Sequence, residues 1–257
     1  MTVVFGIAMV RNEQDIIGPV LEHMLTQVDH IIIADNMSSD MTREIIEKYP
    51  VTLVDDTNPA HEQSKKTTAL ALRAGHEGAD WVVPFDADEI WYSPHYSTIK
   101  ECLTHLDGTH VAPAAIYNHW STSLDLQLYN PVKRMGYREQ EPAKLHKVAC
   151  RTATNLVIHE GNHNAQYGEH GMDREMGQLV IRHFPYRSVE QFINKVRQGL
   201  AALKRTDLPE GVGIHWRHHG ALLEARGPEA IHEIYYEHYW HENPLRDGLI
   251  FDPAPVA

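Results

Sequence analysis

The chain reads as an α/β fold with a central, mainly parallel sheet flanked by helices. Three observations predict it. Over the first 90 residues short apolar runs alternate with helical patterns, the rhythm of strand–helix–strand units. Each apolar run ends in a polar cluster: "RNE" (11–13), "DNMSSD" (35–40), "DDT" (55–57) and "DADE" (86–89). In open parallel sheets ligands bind beyond the carboxyl ends of the strands, so these four clusters should share one functional edge. After residue 93 the rhythm changes to a mixed pattern that closes with helices.

The elements follow in order. "VVFGIAMV" (3–10), "HIIIAD" (30–35), "VTLVD" (51–55) and "WVVPFD" (81–86) are the strands of the first half, separated by helices over 14–27, 41–48 and 62–77. A helix near 95–106 and a strand near 109–117 come next, then an irregular polar stretch to about 143. Strands are expected near 144–150, 154–159 and 178–183. Ser188 is an N-cap candidate for a helix over 188–206, with Gln191 at the capping-box position. Pro228 starts a further helix over 227–241, ahead of Pro244. One domain is expected over 1–257, with a nucleotide and metal half (1–93), an acceptor half (94–187) and a helical extension (188–257).

Composition excludes several classes. With 42% hydrophobic and 23% charged residues the chain falls in the ordinary soluble range, and no apolar run approaches the length of a membrane span. The start lacks a basic region and a small-residue cleavage site, which points to the cytoplasm. Two isolated cysteines, Cys102 and Cys150, exclude a disulfide framework and a cysteine zinc cluster. The formal charge is −12, and 19 histidines return roughly four or five positive charges at neutral pH. Residues 1–95 carry 6 Lys/Arg against 16 Asp/Glu, so the first half is ill-suited to lie along DNA. A basic run over 133–151 is a candidate anion site.

Asp86 and Asp88, spaced by one residue at a strand end, offer hard oxygen ligands to Mg or Mn, and such an ion can hold two phosphate oxygens. On an extended segment both side chains would share a face. A solvated turn with incidental acids is the competing reading.

The segments "AMVRNEQDIIGPVLEHM" (8–24), "IIIADNMSSDMTREII" (31–46), "QSKKTTALALRAG" (63–75) and "DWVVPFDADEIW" (80–91), in that order, resemble the family 2 nucleotide-sugar glycosyltransferases of the GT-A fold. The resemblance covers about the first 120 residues well and the rest loosely. It implies that Arg11, Asn12 and Glu13 line the nucleotide pocket, that Asp35 contacts the base or ribose, and that Lys66 reaches the nucleotide region. It also implies that Asp86-Ala87-Asp88 is the metal and diphosphate motif, with Mn2+ or Mg2+ as cofactor and a nucleotide sugar, such as a UDP-sugar, as donor. Met37 and Met41 stand where the family pattern "DNGSTDGT" has glycine. The activity implied is inverting transfer to a hydroxyl on a glycan, a protein or a hydroxylated DNA base.

The second half should supply the rest of the site. His183, ending an apolar strand, is the candidate that closes the metal shell, with a core histidine as the competing view. Lys144 and Lys147 can hold phosphate or lie on a solvated strand edge. "HEGNH" (159–163) matches the zinc-protease signature H-E-x-x-H, but that chemistry needs both histidines on one helix, and Gly161-Asn162 after a strand-like "NLVI" argues against one. Glu160, His163 and Asp173 are the candidates for the base that deprotonates the acceptor. "HWRHHG" (215–220) and "YYEHYWHEN" (235–243) either line an acceptor groove or pack between helices. A sugar nucleotidyltransferase should carry a glycine-rich loop after the first strand, and "AMVRNEQ" has no glycine. A non-catalytic nucleotide- or glycan-binding module is the remaining alternative.

Overall fold

A computed structural model describes residues 1–168, 174, 176–207, 209 and 211–254. The first half runs β1 (Val4–Val10), α1 (Ile17–Gln27), β2 (His30–Asp35), α2 (Thr42–Ile46), β3 (Thr52–Asp55), α3 (Gln63–His76), β4 (Trp81–Pro84) and β5 (Glu89–Tyr92). It continues with α4 (Ile99–Thr104), β6 (Val111–Thr122), α5 (Pro131–Arg134), β7 (Tyr137–Arg138), β8 (His146–Arg151), β9 (Leu156–Ile158), β10 (Ala165–Tyr167) and β11 (Leu179–His183). The C-terminal part holds α6 (Val189–Leu203), α7 (Ile214–Arg226), α8 (Pro228–Ile234), β12 (Trp240–His241) and β13 (Ile250–Phe251).

The sheet runs β3-β2-β1-β4-β8-β6 and continues through β11 to β5. Strands β1 to β4 pair in parallel, with Val10 opposite Asp35 and Asp35 opposite Asp55, so the polar clusters after β1, β2 and β3 lie along one edge. β8 then runs antiparallel to both β4 and β6, while β11 lies parallel to β6 and antiparallel to β5. This is the GT-A arrangement, a parallel half joined to a mixed half. His183, last in β11, is in register with Glu89 on one side and Asn118 on the other.

Amphipathic spacing explains the two layers. On α1, Ile17, Val20, Leu21 and Met24 recur at helical spacing and are buried against one face of the sheet with Trp91 and Phe184. On α3, Leu70, Ala71 and Ala74 cover the opposite face with Ile7 and Val82. A separate cluster of Phe192, Val196, Ile231 and Tyr235 fastens α6 to α8.

Ser188 caps α6 as its sequence indicates, its Oγ accepting from Gln191 N at 3.1 Å. Gln191 departs from the capping box: its Oε1 accepts from Arg187 N (3.3 Å), one residue before the cap. No periodic signal in the sequence marks α7. Its two histidine-rich turns carry no apolar stripe, and it is held by close approach to α6, where a Cβ on Gly199 would meet the Trp216 ring at 2.8 Å. The helix expected over 227–241 is shorter, because α8 passes into a π turn over Tyr235–Tyr239 and then into β12.

Candidate active site

The acidic stretch after β4 is a turn rather than an extended segment. Glu89 N donates to Asp86 O (3.1 Å), while Glu89 Oε2 accepts from Asp86 N and from Trp91 Nε1, both at 3.0 Å. Glu89 is fully buried, and burial pushes its carboxyl up to about 7 against the opposing pull of Lys147. The third acid is therefore scaffolding: it closes the turn that presents the two aspartates. Lys147, on β8, lies between Asp86 and Glu89 Oε1 (2.7 Å). Burial alone would lower its pKa, but the two carboxylates outweigh that and raise it, so the ammonium stays charged.

Asp88 is buried between two cations and an imidazole. Lys195 Nζ on α6 is 2.5 Å from its Oδ2, and Arg187 Nη1 and His183 Nε2 each stand 3.7 Å from the carboxylate. Burial would raise the Asp88 carboxyl, yet Lys195, His183 and Arg187 together hold it well below the usual range. Arg187 binds the edge together. Its guanidinium reaches both oxygens of Asp15 (2.7 and 2.8 Å), Glu13 Oε2 (2.5 Å) and Phe184 O (3.0 Å).

His183 Nδ1 hydrogen-bonds Asn118 Oδ1 at 2.8 Å. Since a carbonyl oxygen only accepts, Nδ1 carries the proton and Nε2 keeps a lone pair toward Asp88 Oδ1. Burial lowers the imidazole to about 4, so it is neutral at physiological pH. Two lone-pair atoms thus face each other across 3.7 Å, the opening a cation would fill. Among the described residues no three His, Cys, Asp or Glu groups already converge as a ligand cluster, because Asp86 is turned toward Lys147. Its side chain is 37% exposed, with Lys147 on one oxygen and Gln63 Nε2 on the other (3.5 Å). A set of two aspartate oxygens and one imidazole nitrogen fits Mn2+ or Mg2+.

Two clefts meet at this point. One, of about 560 Å3, lies over the ends of β1 and β2, lined by Arg11, Asn12, Glu13 and Asn36, and is roofed by Asn194 and Gln198 of α6. The other, of about 550 Å3, contains Asp86, Asp88, Lys147, Glu160, His163 and His183. Lys195 and Trp216 line both.

The residues expected around the nucleotide divide into two groups. Arg11, Asn12 and Glu13 line the first cleft. Asn12 adopts φ 54° and fixes the loop after β2, its N donating to Ser38 Oγ (3.0 Å) and its Oδ1 accepting from Ser39 N (2.7 Å). Asp35 is buried at the end of β2, where its carboxylate accepts from Ser38 N (3.2 Å) and meets Arg43 at 3.4 Å. Lys66 ties down the loop between β3 and α3 through Asp56 (2.7 Å) and Asn58 O (2.5 Å).

"HEGNH" forms no helix. His159 is extended, and the short 3-10 turn that follows contains left-handed Gly161 (φ 72°) and Asn162 (φ 56°). The turn lies beside the aspartates because Gln63, first in α3, accepts from Gly161 N (3.1 Å) and donates to Asp86 Oδ1 (3.5 Å). Glu160 Oε1 accepts from Ser64 N (3.1 Å), and Oε2 faces His61 Nε2 at 3.4 Å. Burial works to raise its carboxyl, but His61 and Ser64 N outweigh it and lower it. His163 bonds His146 O through Nδ1 (2.8 Å), and burial lowers its pKa. Asp173 lies outside the described residues.

Several site residues were missed in the sequence. Lys195, Arg187 and His61 match no motif, Gln63 and His215 lie in stretches the sequence singles out without assigning them a role, and the convergence of these residues depends on α6 and α7 folding back over the sheet edge. The basic run 133–151 does not form a continuous anion patch. Arg134 binds Arg187 O, Arg138 binds Asp252 (2.6 Å), Arg151 binds Thr109 O and Leu106 O, and Lys147 serves the aspartate turn. Lys144 is exposed on the approach to β8.

The polar edge of the parallel sheet, the Asp-x-Asp turn and the facing histidine meet where the two clefts join. Residues 7–164 match the glycosyl transferase family 2, and the chain belongs to that family. No curated protein matches it. Among solved structures it is similar to glucosyl-3-phosphoglycerate synthase from Mycobacterium tuberculosis in complex with Mn2+, UDP and glucosyl-3-phosphoglycerate. There the identity is 16% and the TM-score 0.33, over 45% of this chain and 44% of that one. It is also similar to mannosyl-3-phosphoglycerate synthase from Rubrobacter xylanophilus, with 18% identity and TM-score 0.34 over 45% and 41%. A mycobacterial protein matches at 15% identity and TM-score 0.38 over 81% and 76%. The chain thus spans less than half the length of the two synthases. No helix among the described residues is long and apolar enough to cross a membrane.

Proposed function

We propose that the protein transfers a sugar, with inversion, from a nucleoside diphosphate sugar to a hydroxyl acceptor. Asp86, Asp88 and His183 would hold the Mn2+ or Mg2+ ion. The observation that carries this reading is the pair of facing acceptors, Asp88 Oδ1 and His183 Nε2, at the mouth of the family's nucleotide edge. When bound, the divalent ion neutralises the departing diphosphate as a Lewis acid.

The chain's own groups do the rest. Arg11, Asn12 and Glu13, with Asp35 and Lys66 fixing the loops around them, form the wall for base and ribose. Lys195, shared by both clefts, is placed to meet diphosphate oxygens. Lys147 holds Asp86 and buffers the charge of the acidic turn. The second cleft takes the acceptor, with Tyr186 and Trp216 offering aromatic faces to a sugar. Glu160 is the base: it lines the second cleft, its Oε1 is anchored by Ser64 N, its Oε2 lies beside His61 Nε2 as a proton relay, and its carboxyl is ionised at neutral pH. His163 and Asp173 are the other candidates for that role. A glycan hydroxyl suits such a cleft, and a protein or hydroxylated DNA base remains open to test.

A panel of nucleoside diphosphates, each with Mn2+ or with chelator, tests the reading by thermal shift, because a ligand that binds only the folded state raises Tm. UDP with Mn2+ should raise it, and UDP with chelator should not. A shift indifferent to metal would overturn the metal role, and no shift with any nucleotide would overturn the donor.

A further inference from the structure

Glu139 is an acid inside the basic 133–151 run, and its carboxylate is joined to His183 through one intervening side chain. Oε2 accepts from Asn118 Nδ2 (3.1 Å), Oε1 accepts from Trp120 Nε1 (3.2 Å), and Glu139 N donates to Asn118 O (3.0 Å). Both carboxylate oxygens are therefore assigned to N–H donors, and neither can donate in return. This decides which way the Asn118 amide points. Its NH2 must face Glu139, which leaves its Oδ1 for His183 Nδ1 at 2.8 Å.

We propose that Asn118, aligned by Glu139, is the positioning residue that locks His183 as the Nδ1–H tautomer and so presents the Nε2 lone pair to the metal. The inference rests on the metal reading above. An imidazole with its proton on Nε2 would place an N–H toward Asp88 and make a hydrogen bond there, which would close the opening between them to a cation. Outer partners that fix a ligating histidine in this way typically change metal affinity by about 10- to 100-fold when removed. Strand register supports the assignment, since Asn118 pairs directly with His183 across β6 and β11. Trp120 holds Glu139 from the other side and stacks on Tyr186 and Tyr239, so the carboxylate is braced by the C-terminal aromatic cluster.

The test is 15N NMR of the histidine ring nitrogens in the metal-free protein, paired with Mn2+ binding followed by electron paramagnetic resonance. Wild type should show His183 as the Nδ1–H tautomer. Asn118→Leu removes the acceptor, so the tautomer should move to Nε2–H and Mn2+ affinity should fall about 10- to 100-fold. Glu139→Gln offers one oxygen to two donors, so Asn118 inverts in part of the population and both readouts should shift partway. This variant keeps the volume of the site and covers the case in which Asn118→Leu does not fold. An unchanged Nδ1–H tautomer in the folded variants, or an Nε2–H tautomer in wild type, overturns the proposal. Failure of wild type to bind Mn2+ while the Nδ1–H tautomer is seen overturns instead the metal reading beneath it.

Discussion

Lys195 Nζ is seated 2.5 Å from Asp88 Oδ2, so an ammonium from the C-terminal helix α6 serves the same carboxylate that the Asp-x-Asp turn offers to a cation. Both groups are largely shielded from solvent, and the pair is worth most while neither charge is left alone. Burial would lower the Lys195 pKa, but Asp88 and Glu13 raise it, so the ammonium remains charged.

Lys195→Met removes that charge without changing much volume. Arg187 and His183 remain near Asp88, so the loss should be about 3 kcal/mol, at the lower end for a broken buried pair. Added Mn2+ should restore more Tm to the variant than it adds to wild type, because the ion takes over the ammonium's role at Asp88. Equal Mn2+ shifts in both proteins would separate Lys195 from the metal site.

His119 gives a pH test on a side chain that lines neither cleft. It is fully buried, bonds Met135 O through Nδ1 (2.9 Å) and stacks on Phe184, and burial lowers its pKa to about 4. The unfolded chain takes up a proton near pH 6.5 whereas the folded one resists until about 4. Its contribution is complete above pH 6.5 and is lost as pH falls through that window. The loss should reach about 2 to 3 kcal/mol at pH 4.5. His119→Gln keeps a donor for Met135 O, and denaturant titrations at pH 7 and 4.5 should show its pH dependence reduced by that amount.

Gly161 lines the second cleft and not the first. Its φ is +72°, and a Cβ there would run into the His163 ring. Gly161→Ala should cost about 1 to 2 kcal/mol in backbone strain and shift the Glu160–His163 turn. The turnover number should fall at least about 10-fold with the affinity for nucleoside diphosphate unchanged, since each 1.36 kcal/mol of lost alignment is tenfold in rate. A parallel loss of nucleotide affinity would show that the turn serves the donor.

The two methionines in family glycine positions differ. Met37 is left-handed (φ 57°), whereas Met41 has an ordinary φ of −78°. Met37→Gly should be neutral to stabilising by about 1 kcal/mol, strain relief offsetting chain entropy. Met41→Gly has no strain to relieve and should give no gain. Thermal melts of the pair check this, and a Tm loss for Met37→Gly of more than about 2 °C would contradict it.

The parallel half was legible because local signals decide it: apolar runs, helical spacing on α1 and α3, and polar residues at each strand end all agree. Asp86, Asp88 and His183 were legible as candidates for the same reason, each standing at a strand end. The turn form of "DADE" was not, because it depends on Glu89 closing back on Asp86 N. Arg187 and Lys195 were not either, since their partners Asp15 and Asp88 lie 172 and 107 residues away. Helix α7 escaped because its polar turns are stabilised by contact with α6 and not by an amphipathic stripe of their own.

The most direct measurement is release of UDP from UDP-sugars by the purified protein, with Mn2+ or with chelator, in wild type and Asp86→Asn. Asp86 is partly exposed, so the variant should stay folded, which circular dichroism can verify. Release should depend on metal, be abolished by chelator and fall by about 100-fold or more in Asp86→Asn, equivalent to roughly 2.7 kcal/mol of transition-state stabilisation. Undiminished release in chelator, or by folded Asp86→Asn, would contradict the metal-dependent mechanism.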